Sequence, residues 1–203
     1  LIIKRKNNVG LTEFQKLAGQ IFIALIFFFI YMKSGAEPVV EIYTLGIEFN
    51  LSWFYGIFLL FMLVASSNAV NITDGLDGLA GGLSLIAFLT FALISANSPA
   101  ISGTSDISVF CFVLVGSLLG FLAFNSRPAK VFMGDTGSLA LGATLATIAI
   151  ITKHELTFIF VAGVFVFETL VCVIQIISMV YFHKKVFLVT PFHKKKKKLG
   201  WNE

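Results

Sequence analysis

Charged residues are scarce in this sequence, since aspartate, glutamate, lysine and arginine make up only 13% of its 203 residues. Soluble domains carry about 25% charged residues, so this class of protein is excluded. Apolar residues make up 57% of the chain, with 23 phenylalanines among them. We find no internal repeat and no separate soluble segment. Residues 1–203 are therefore expected to form a single polytopic, all-α integral membrane domain.

Cysteine is almost missing as well. Cys111 and Cys172 are the two cysteines of the chain, and each lies inside an apolar stretch. A cysteine in such surroundings behaves as a small buried hydrophobe, so we expect neither a disulfide nor a cysteine metal site.

The beginning of the chain lacks two further features. The first residue is Leu1 and not methionine, and no cleavable signal peptide is visible, because polar Asn7 and Asn8 precede the first long apolar stretch. The sequence is therefore expected to be a fragment whose upstream part is missing.

Long apolar stretches dominate what is present. A bilayer-spanning helix needs about 20 mostly apolar residues, and about six stretches meet or approach this length: 17–32, 51–67, 79–96, 107–124, 138–152 and 156–182. The last stretch is long and contains Glu168 and Gln175, which lipid would penalise. We expect both side chains to face protein or water, and the helix to be bent or interrupted there.

The distribution of positive charge predicts the orientation in the membrane. Thirteen of the fifteen basic residues precede the first span, follow the fourth or follow the sixth. The positive-inside rule then places both termini and the segments 66–78, 125–137 and 183–203 in the cytoplasm, as in a multi-pass protein of the inner (plasma) membrane. Clusters at the edges of apolar runs favour this purpose over nucleic-acid binding, and the lysine run 194–198 is typical of attraction to anionic headgroups.

The first of these loops is rich in oxygen ligands. It reads Asn68-Ala-Val-Asn-Ile-Thr-Asp-Gly-Leu-Asp-Gly78. Asp74 and Asp77 are three residues apart, so on a helical turn they would share a face and suit Mg²⁺ held together with substrate phosphates. The same pattern also occurs in turns that merely cap a helix. Asn71 matches a glycosylation acceptor, but a cytoplasmic position argues against that use.

The second loop combines a carboxylate with cations. It carries Asn125, Arg127, Lys130, Phe132 and Asp135, and its glycines at 134 and 137 lead directly into a helix. Helix N-termini bind anions, and the two cations could hold phosphate. They could equally be ordinary anchors at the membrane surface. Phe132 could stack on a base or face lipid.

The third loop contains Pro191-Phe-His193. A lone histidine is usually structural. Three loops that bring acids, amides, cations and a histidine to one membrane face are nevertheless typical of a phosphoryl-transfer site.

Four motifs together resemble the polyprenyl-phosphate N-acetylhexosamine-1-phosphate transferase family. They are the first loop just quoted, Pro128-Ala-Lys-Val-Phe-Met-Gly-Asp-Thr-Gly-Ser138, Phe167-Glu-Thr-Leu170, and Pro191-Phe-His193 followed by Gly200-Trp201. The resemblance implies a Mg²⁺-dependent transfer of a sugar phosphate from a UDP donor to undecaprenyl phosphate, with release of UMP. The second and third motifs favour UDP-N-acetylmuramoyl-pentapeptide as the donor. The family also suggests a homodimer.

The resemblance also implies roles for individual residues. Asp135 would bind Mg²⁺ with Asn68 nearby, and Asp74 and Asp77 would position the nucleotide and phosphate. His193 would contact the substrate phosphate or sugar. The remaining residues expected to bind substrate are Lys16, Asn71, Asn125, Lys130, Phe132 and Gln175, with Phe132 stacked on uracil.

Two departures from the family leave alternatives open. An adjacent aspartate pair and about four further spans are absent from this sequence, and the three consecutive histidines of the family appear as His193-Lys194-Lys195. The alternatives are a transferase that uses UDP-N-acetylglucosamine, a truncation without activity, and a transporter or channel in which Asp74, Asp77 and Glu168 form an ion path.

Overall fold

A computed structural model describes residues 10–42, 46–97, 104–187 and 189–193. The helices are α1 (Glu13–Lys33), α2 (Phe54–Thr73), α3 (Leu79–Ala96), α4 (Thr104–Asn125), α5 (Gly134–Ile151), α6 (Glu155–Val161) and α7 (Gly163–Phe182). Two short strands, β1 (Val39–Ile42) and β2 (Ile47–Asn50), lie between α1 and α2. The lysine run 194–198, the basic residues at 4–6 and the Gly200-Trp201 motif lie outside the described residues.

Six of these helices are long and apolar enough to cross a membrane, and they correspond to the six predicted spans. The all-α membrane fold is thereby confirmed. The predicted bounds of α3 agree at both ends, whereas α1 extends beyond the predicted 17–32 at its start. Thr12 and Gln15 form a capping box there, so hydrogen bonds begin the helix before its apolar part does.

The last predicted span is interrupted, as expected, but at another place. The chain breaks at Ala162, between α6 and α7, whereas Glu168 and Gln175 lie within the continuous α7. Gly163 starts the new helix, and glycine has a low helix propensity. Glu168 and Gln175 are both buried, as predicted for polar side chains at this depth.

Between α1 and α2 the structure has a hairpin, which the sequence analysis did not predict. β1 and β2 pair in antiparallel register, with Val40 opposite Phe49. Lys153 anchors the hairpin to the α5–α6 connection, because its ammonium group donates to the main-chain oxygens of Glu37 and Val39. We call this end of the helices the hairpin end, and the end with Asp74, Asp77 and Asp135 the polar end.

Helix α2 lies at the centre of the packing and contacts α1, α5 and α7, while α3 packs against α4. The α2–α5 contact depends on small residues. A Cβ atom on Gly142 would overlap the backbone of Ser66 and Ser67, and the Ser66 hydroxyl donates to the Gly142 main-chain oxygen at 2.6 Å. Close approach through small residues replaces the hydrophobic driving force that membrane helices lack. This packing brings the end of α2 beside the start of α5.

Candidate active site

A polar cavity of about 340 Å³ opens at the polar end, where α2 ends and α5 begins. Asp74, Asp77 and Asp135 all line it, so the three predicted carboxylates converge on one place as expected. The other residues around it are Asn71, Gly75, Leu76, Asn125, Phe132, Met133 and Gly134.

The loop of residues 74–78, which we call the aspartate loop, is not a helical turn. Asp74 follows the last residue of α2, and Gly78 adopts a left-handed conformation with φ of +75° immediately before α3. The sequence interpretation that a helical turn places both aspartates on one face is therefore wrong. The two carboxylates meet at the cavity because the loop folds between two helix ends.

Hydrogen bonds tie the aspartate loop to the loop that precedes α5. Asp77 Oδ2 accepts from the backbone N–H of Ala129 at 3.0 Å, and Asn125 Oδ1 accepts from the N–H of Gly78 at 3.1 Å. The amide of Asn125 also donates to the Val131 main-chain oxygen at 2.8 Å. Asn125 is buried, so it acts as a fixed bridge between the two loops.

Asp135 is held from two sides. Asn71 donates to its Oδ1 at 3.1 Å, and the ammonium group of Lys16 lies 2.5 Å from its Oδ2. Asn71 also donates to the hydroxyl of Ser138, one turn further along α5. Lys16 of α1, Asn71 of α2, and Asp135 and Ser138 of α5 thus form one polar cluster.

The electrostatics of the cavity favour a positive charge. Partial burial raises the pKa of Asp74 above its ordinary value, and the neighbouring Asp135 carboxylate raises it further. A raised pKa means that the surroundings disfavour the ionised form, and a cation bound in the cavity would reverse that preference. The acidic lining therefore suits a cationic ligand.

The aromatic and basic residues of the second loop differ in position. Phe132 lines the cavity and is 75% exposed, so its ring is accessible to a ligand. Lys130 is exposed and lies outside the cavity lining, as does Arg127.

Asn68 and Gln175 also lie outside the cavity lining, as do the predicted site residues Lys16, Lys130 and His193. Asn68 lies one turn before Asn71, and its amide donates to Gln20 Oε1 and to the Val64 main-chain oxygen. Gln175 lies within α7 and accepts from the N–H of Phe187. The metal role of Asn68 and the nucleotide role of Gln175 stay predictions.

Gln175 belongs to a set of polar residues that hold the segment after α7. Residues 183–187 and 189–193 of this segment turn back along the helix: the Ser178 hydroxyl donates to the Lys184 main-chain oxygen, and Glu168 accepts from Phe192 and His193. We call it the return segment. The spacing of residues 168, 175 and 178 places them on one face of α7, and this spacing is the signal in the sequence that could have revealed it.

The return segment brings His193 to the aspartate loop. His193 is 6% exposed, and a Cβ atom on Gly75 would collide with its imidazole ring. Of the four residues predicted to be catalytic, three line the cavity, and the fourth packs behind the loop that carries two of them.

An apolar groove of about 300 Å³ runs beside α2, lined by α2, α6 and α7. Its wall consists mainly of phenylalanine and aliphatic side chains, among them Phe58, Phe61, Met62, Phe158 and Phe165. A groove of this composition suits a hydrocarbon chain and excludes polar ligands.

The donor set of the cavity fits Mg²⁺ bound together with a substrate. Within the described ranges, no three acidic, histidine or cysteine side chains are close enough together to hold a metal by themselves. Mg²⁺ is usually held by one or two carboxylates, water and substrate phosphates, and not by a complete protein cage. Asp135 and Asp74 offer oxygen ligands of that kind.

The fold and the cavity define a class: a multi-pass membrane protein with an acidic, oxygen-rich cavity at one end of its helices and an apolar groove along them. Comparison with known proteins specifies this class further. Residues 7–153 match the model of glycosyl transferase family 4, and the chain belongs to this family.

Three of its relatives share a name. The chain is 50% identical over 198 residues to the phospho-N-acetylmuramoyl-pentapeptide-transferase of Geobacillus thermodenitrificans. The matched region covers 98% of this chain and 60% of the relative. Identity is 49% over 203 residues to the enzyme of the same name from Oceanobacillus iheyensis (99% and 61%) and 48% over 198 residues to that from Bacillus subtilis (98% and 60%). The chain thus spans about three fifths of the length of these relatives.

Proposed function

We propose that this protein transfers phospho-N-acetylmuramoyl-pentapeptide from its UDP donor to undecaprenyl phosphate, which gives UMP and a lipid-linked intermediate of peptidoglycan synthesis. The observation that carries the proposal is the convergence of Asp74, Asp77 and Asp135 on one cavity. The names of relatives about half identical in sequence support this choice of reaction over others in the family.

In the proposed reaction, one phosphoric anhydride replaces another. A phosphate oxygen of undecaprenyl phosphate bonds to the sugar-bearing phosphorus, and the bond between that phosphorus and the bridging oxygen of the diphosphate breaks, so that UMP leaves. Little covalent chemistry is required of the protein. Its task is to bring two anions together and to stabilise charge on the phosphoryl oxygens.

Asp135 and Asp74 would hold Mg²⁺, and the bound ion would neutralise charge on the diphosphate oxygens. We keep Asn68 as a further predicted ligand. Lys16 adds a second positive charge, because its ammonium group lies at the same carboxylate as the proposed metal. A phosphate bound near Asp135 would therefore also lie close to the ammonium group of Lys16, which could donate to it.

The nucleotide would lie beside the second loop. Phe132 presents an exposed ring at the cavity, where it would stack on uracil. Asn71 and Asn125 contribute amide groups at the cavity wall, and Lys130 of the second loop would add a positive charge toward the phosphates. Asp77 would keep the two loops together, since it accepts a hydrogen bond from Ala129.

The lipid acceptor has a matching surface. The groove beside α2 is lined almost entirely by apolar side chains, and α2 also ends at the cavity. An isoprenoid chain in this groove would be held by the same helix whose end carries Asp74. This shared helix would align a lipid phosphate with the acidic cavity.

We propose that the polar end faces the cytoplasm of the inner membrane, where nucleotide sugars are available. The positive-inside distribution of the basic residues supports this orientation. The homodimer suggested by the family stays a proposal of the same kind.

The test is a transferase assay on the purified full-length gene product in nanodiscs. With UDP-N-acetylmuramoyl-pentapeptide, undecaprenyl phosphate and Mg²⁺, we expect UMP and a lipid-linked product, and a chelator should stop both. Product from UDP-N-acetylglucosamine alone would assign the donor to the other branch of the family. Ion flux into sealed vesicles without release of UMP would favour a transporter, and nucleotide binding without turnover would indicate an inactive protein.

A further inference from the structure

The buried carboxylate of Glu168 has an unusual set of partners. Glu168 is 5% exposed and lies in the second turn of α7. Oε2 accepts from the N–H of Phe192 at 2.6 Å, and Oε1 accepts from the N–H of His193 at 3.0 Å. Two successive N–H groups on the two oxygens of one carboxylate fix both the position and the orientation of the turn that carries them.

The side chains of this turn are held as well. The ring of Phe192 meets the ring of Phe167 edge-on, with centroids 5.7 Å apart. The imidazole of His193 is buried and lies against Gly75, so closely that no other residue type fits at position 75 without displacing the ring. The 191–193 turn therefore links Glu168, which holds its backbone, to the aspartate loop, against which its imidazole packs.

Gly75 is the residue through which this contact reaches the cavity. It lines the cavity itself, and it lies between Asp74 and Asp77, which line it too. The backbone N–H of Gly75 donates to the Thr73 main-chain oxygen at 2.8 Å, so the loop is compact at this point. A shift of the imidazole would shift the backbone that carries both carboxylates.

We propose that Glu168 is a positioning residue of the active site: it holds the 191–193 turn so that the imidazole of His193 packs against Gly75 and supports the aspartate loop. His193 then acts through Gly75 on the placement of Asp74 and Asp77. This inference rests on the proposed function for its catalytic consequence, whereas its structural part concerns the aspartate loop alone.

The first test measures that structural part by hydrogen–deuterium exchange on the full-length gene product in nanodiscs. In Glu168→Gln, one acceptor oxygen is replaced by an amide donor that faces a backbone N–H. We expect faster exchange both in residues 189–193 and in residues 74–78, with the β1–β2 hairpin unchanged. Faster exchange in 189–193 alone would overturn the proposal, because the turn would then not support the loop.

The second test measures the catalytic part. Loss of a supporting partner of this kind typically lowers activity about 10- to 100-fold, and we expect such a loss of kcat in Glu168→Gln. Glu168→Asp keeps both acceptor oxygens and should recover most of the activity. Equal activity of Glu168→Gln and the unsubstituted protein would contradict the proposal. If the unsubstituted protein shows no transferase activity, the proposed function fails, and the exchange experiment still decides this inference.

A third test addresses the contact itself. Gly75→Ala should speed exchange in 74–78, because its Cβ collides with the imidazole, and His193→Ala in the same protein should reverse part of that effect by removing the ring. Gly82→Ala is the matched control, since nothing lies within 4 Å of a Cβ at position 82. Strictly additive effects of the two substitutions would exclude the contact as the cause.

Discussion

The ammonium group of Lys16 lies 2.5 Å from Oδ2 of Asp135, and it also pairs with Glu13 at 2.8 Å. The first ion pair joins the start of α1 to the start of α5, at a carboxylate that lines the polar cavity. A divalent cation on Asp135 would compete with Lys16 for the same oxygen. Such competition would release the ammonium group toward a phosphate bound beside the metal.

Replacement of Lys16 tests this relationship. Lys16→Met should lower kcat/KM about 10- to 100-fold, because a hydrogen bond to a charged group contributes about 1.5–3 kcal/mol. It should also strengthen Mg²⁺ binding, since Asp135 loses its competitor. Steady-state kinetics and a metal titration measure the two effects. Glu13→Gln removes only the exposed partner and should behave like the unsubstituted protein.

Asp135→Asn tests the proposed metal site. We expect turnover to fall below detection while the protein stays folded, because asparagine can still accept from Asn71 but carries no charge for the cation. The transferase assay and a thermal melt in detergent are the two measurements. Asp106→Asn, at the other end of the bundle, is the control. Near-normal turnover in Asp135→Asn would remove Asp135 from the site.

Phe132→Ala tests the stacking surface for the base. Stacking of a base on an aromatic ring is worth about 1–3 kcal/mol, so the affinity for the uridine donor should fall by that amount while the affinity for undecaprenyl phosphate stays constant. Binding of each substrate can be measured separately in nanodiscs. Phe160→Ala is a suitable control, because that ring is 84% exposed and lies away from the cavity. Unchanged donor affinity would assign Phe132 to lipid contact.

Gly142→Ala tests the packing that brings α2 and α5 together. Its Cβ would overlap the backbone of Ser66 and Ser67, which cannot move without a shift of the whole helix. Overpacking of this kind costs about 1–3 kcal/mol, which a detergent-titrated unfolding curve would detect. Gly120→Ala, with nothing within 4 Å of its Cβ, should leave stability equal or slightly higher. Equal stability of both variants would show that the interface tolerates a wider separation.

Much of the fold could be predicted because the spans are long and apolar. The bounds of α3 agree at both ends because its caps coincide with the ends of the apolar run. Gly78, in a left-handed conformation, directly precedes the helix, and Asn97 directly follows it. The first span was placed too short because its first turn is polar and formed by the capping box. The β1–β2 hairpin was missed because four-residue strands carry little periodic signal.

The candidate site was predictable in its residues but not in its connections. The aspartates were recognised from their motifs, yet the aspartate loop is not helical, and Asn71 rather than Asn68 reaches Asp135. Glu168 was expected to face protein or water, but its partners lie 24 and 25 residues later and are backbone N–H groups. Any residue except proline has a backbone N–H group, so the pattern of side chains in the sequence does not predict this contact.

The return segment has a consequence for biosynthesis. Helix α7 precedes residues 183–193 in the chain, so Glu168 and Gln175 emerge from the ribosome before the backbone groups that hydrogen-bond them. A carboxyl and an amide at that depth lower the preference of a helix for lipid. The residues translated next remove this penalty once they fold back on α7.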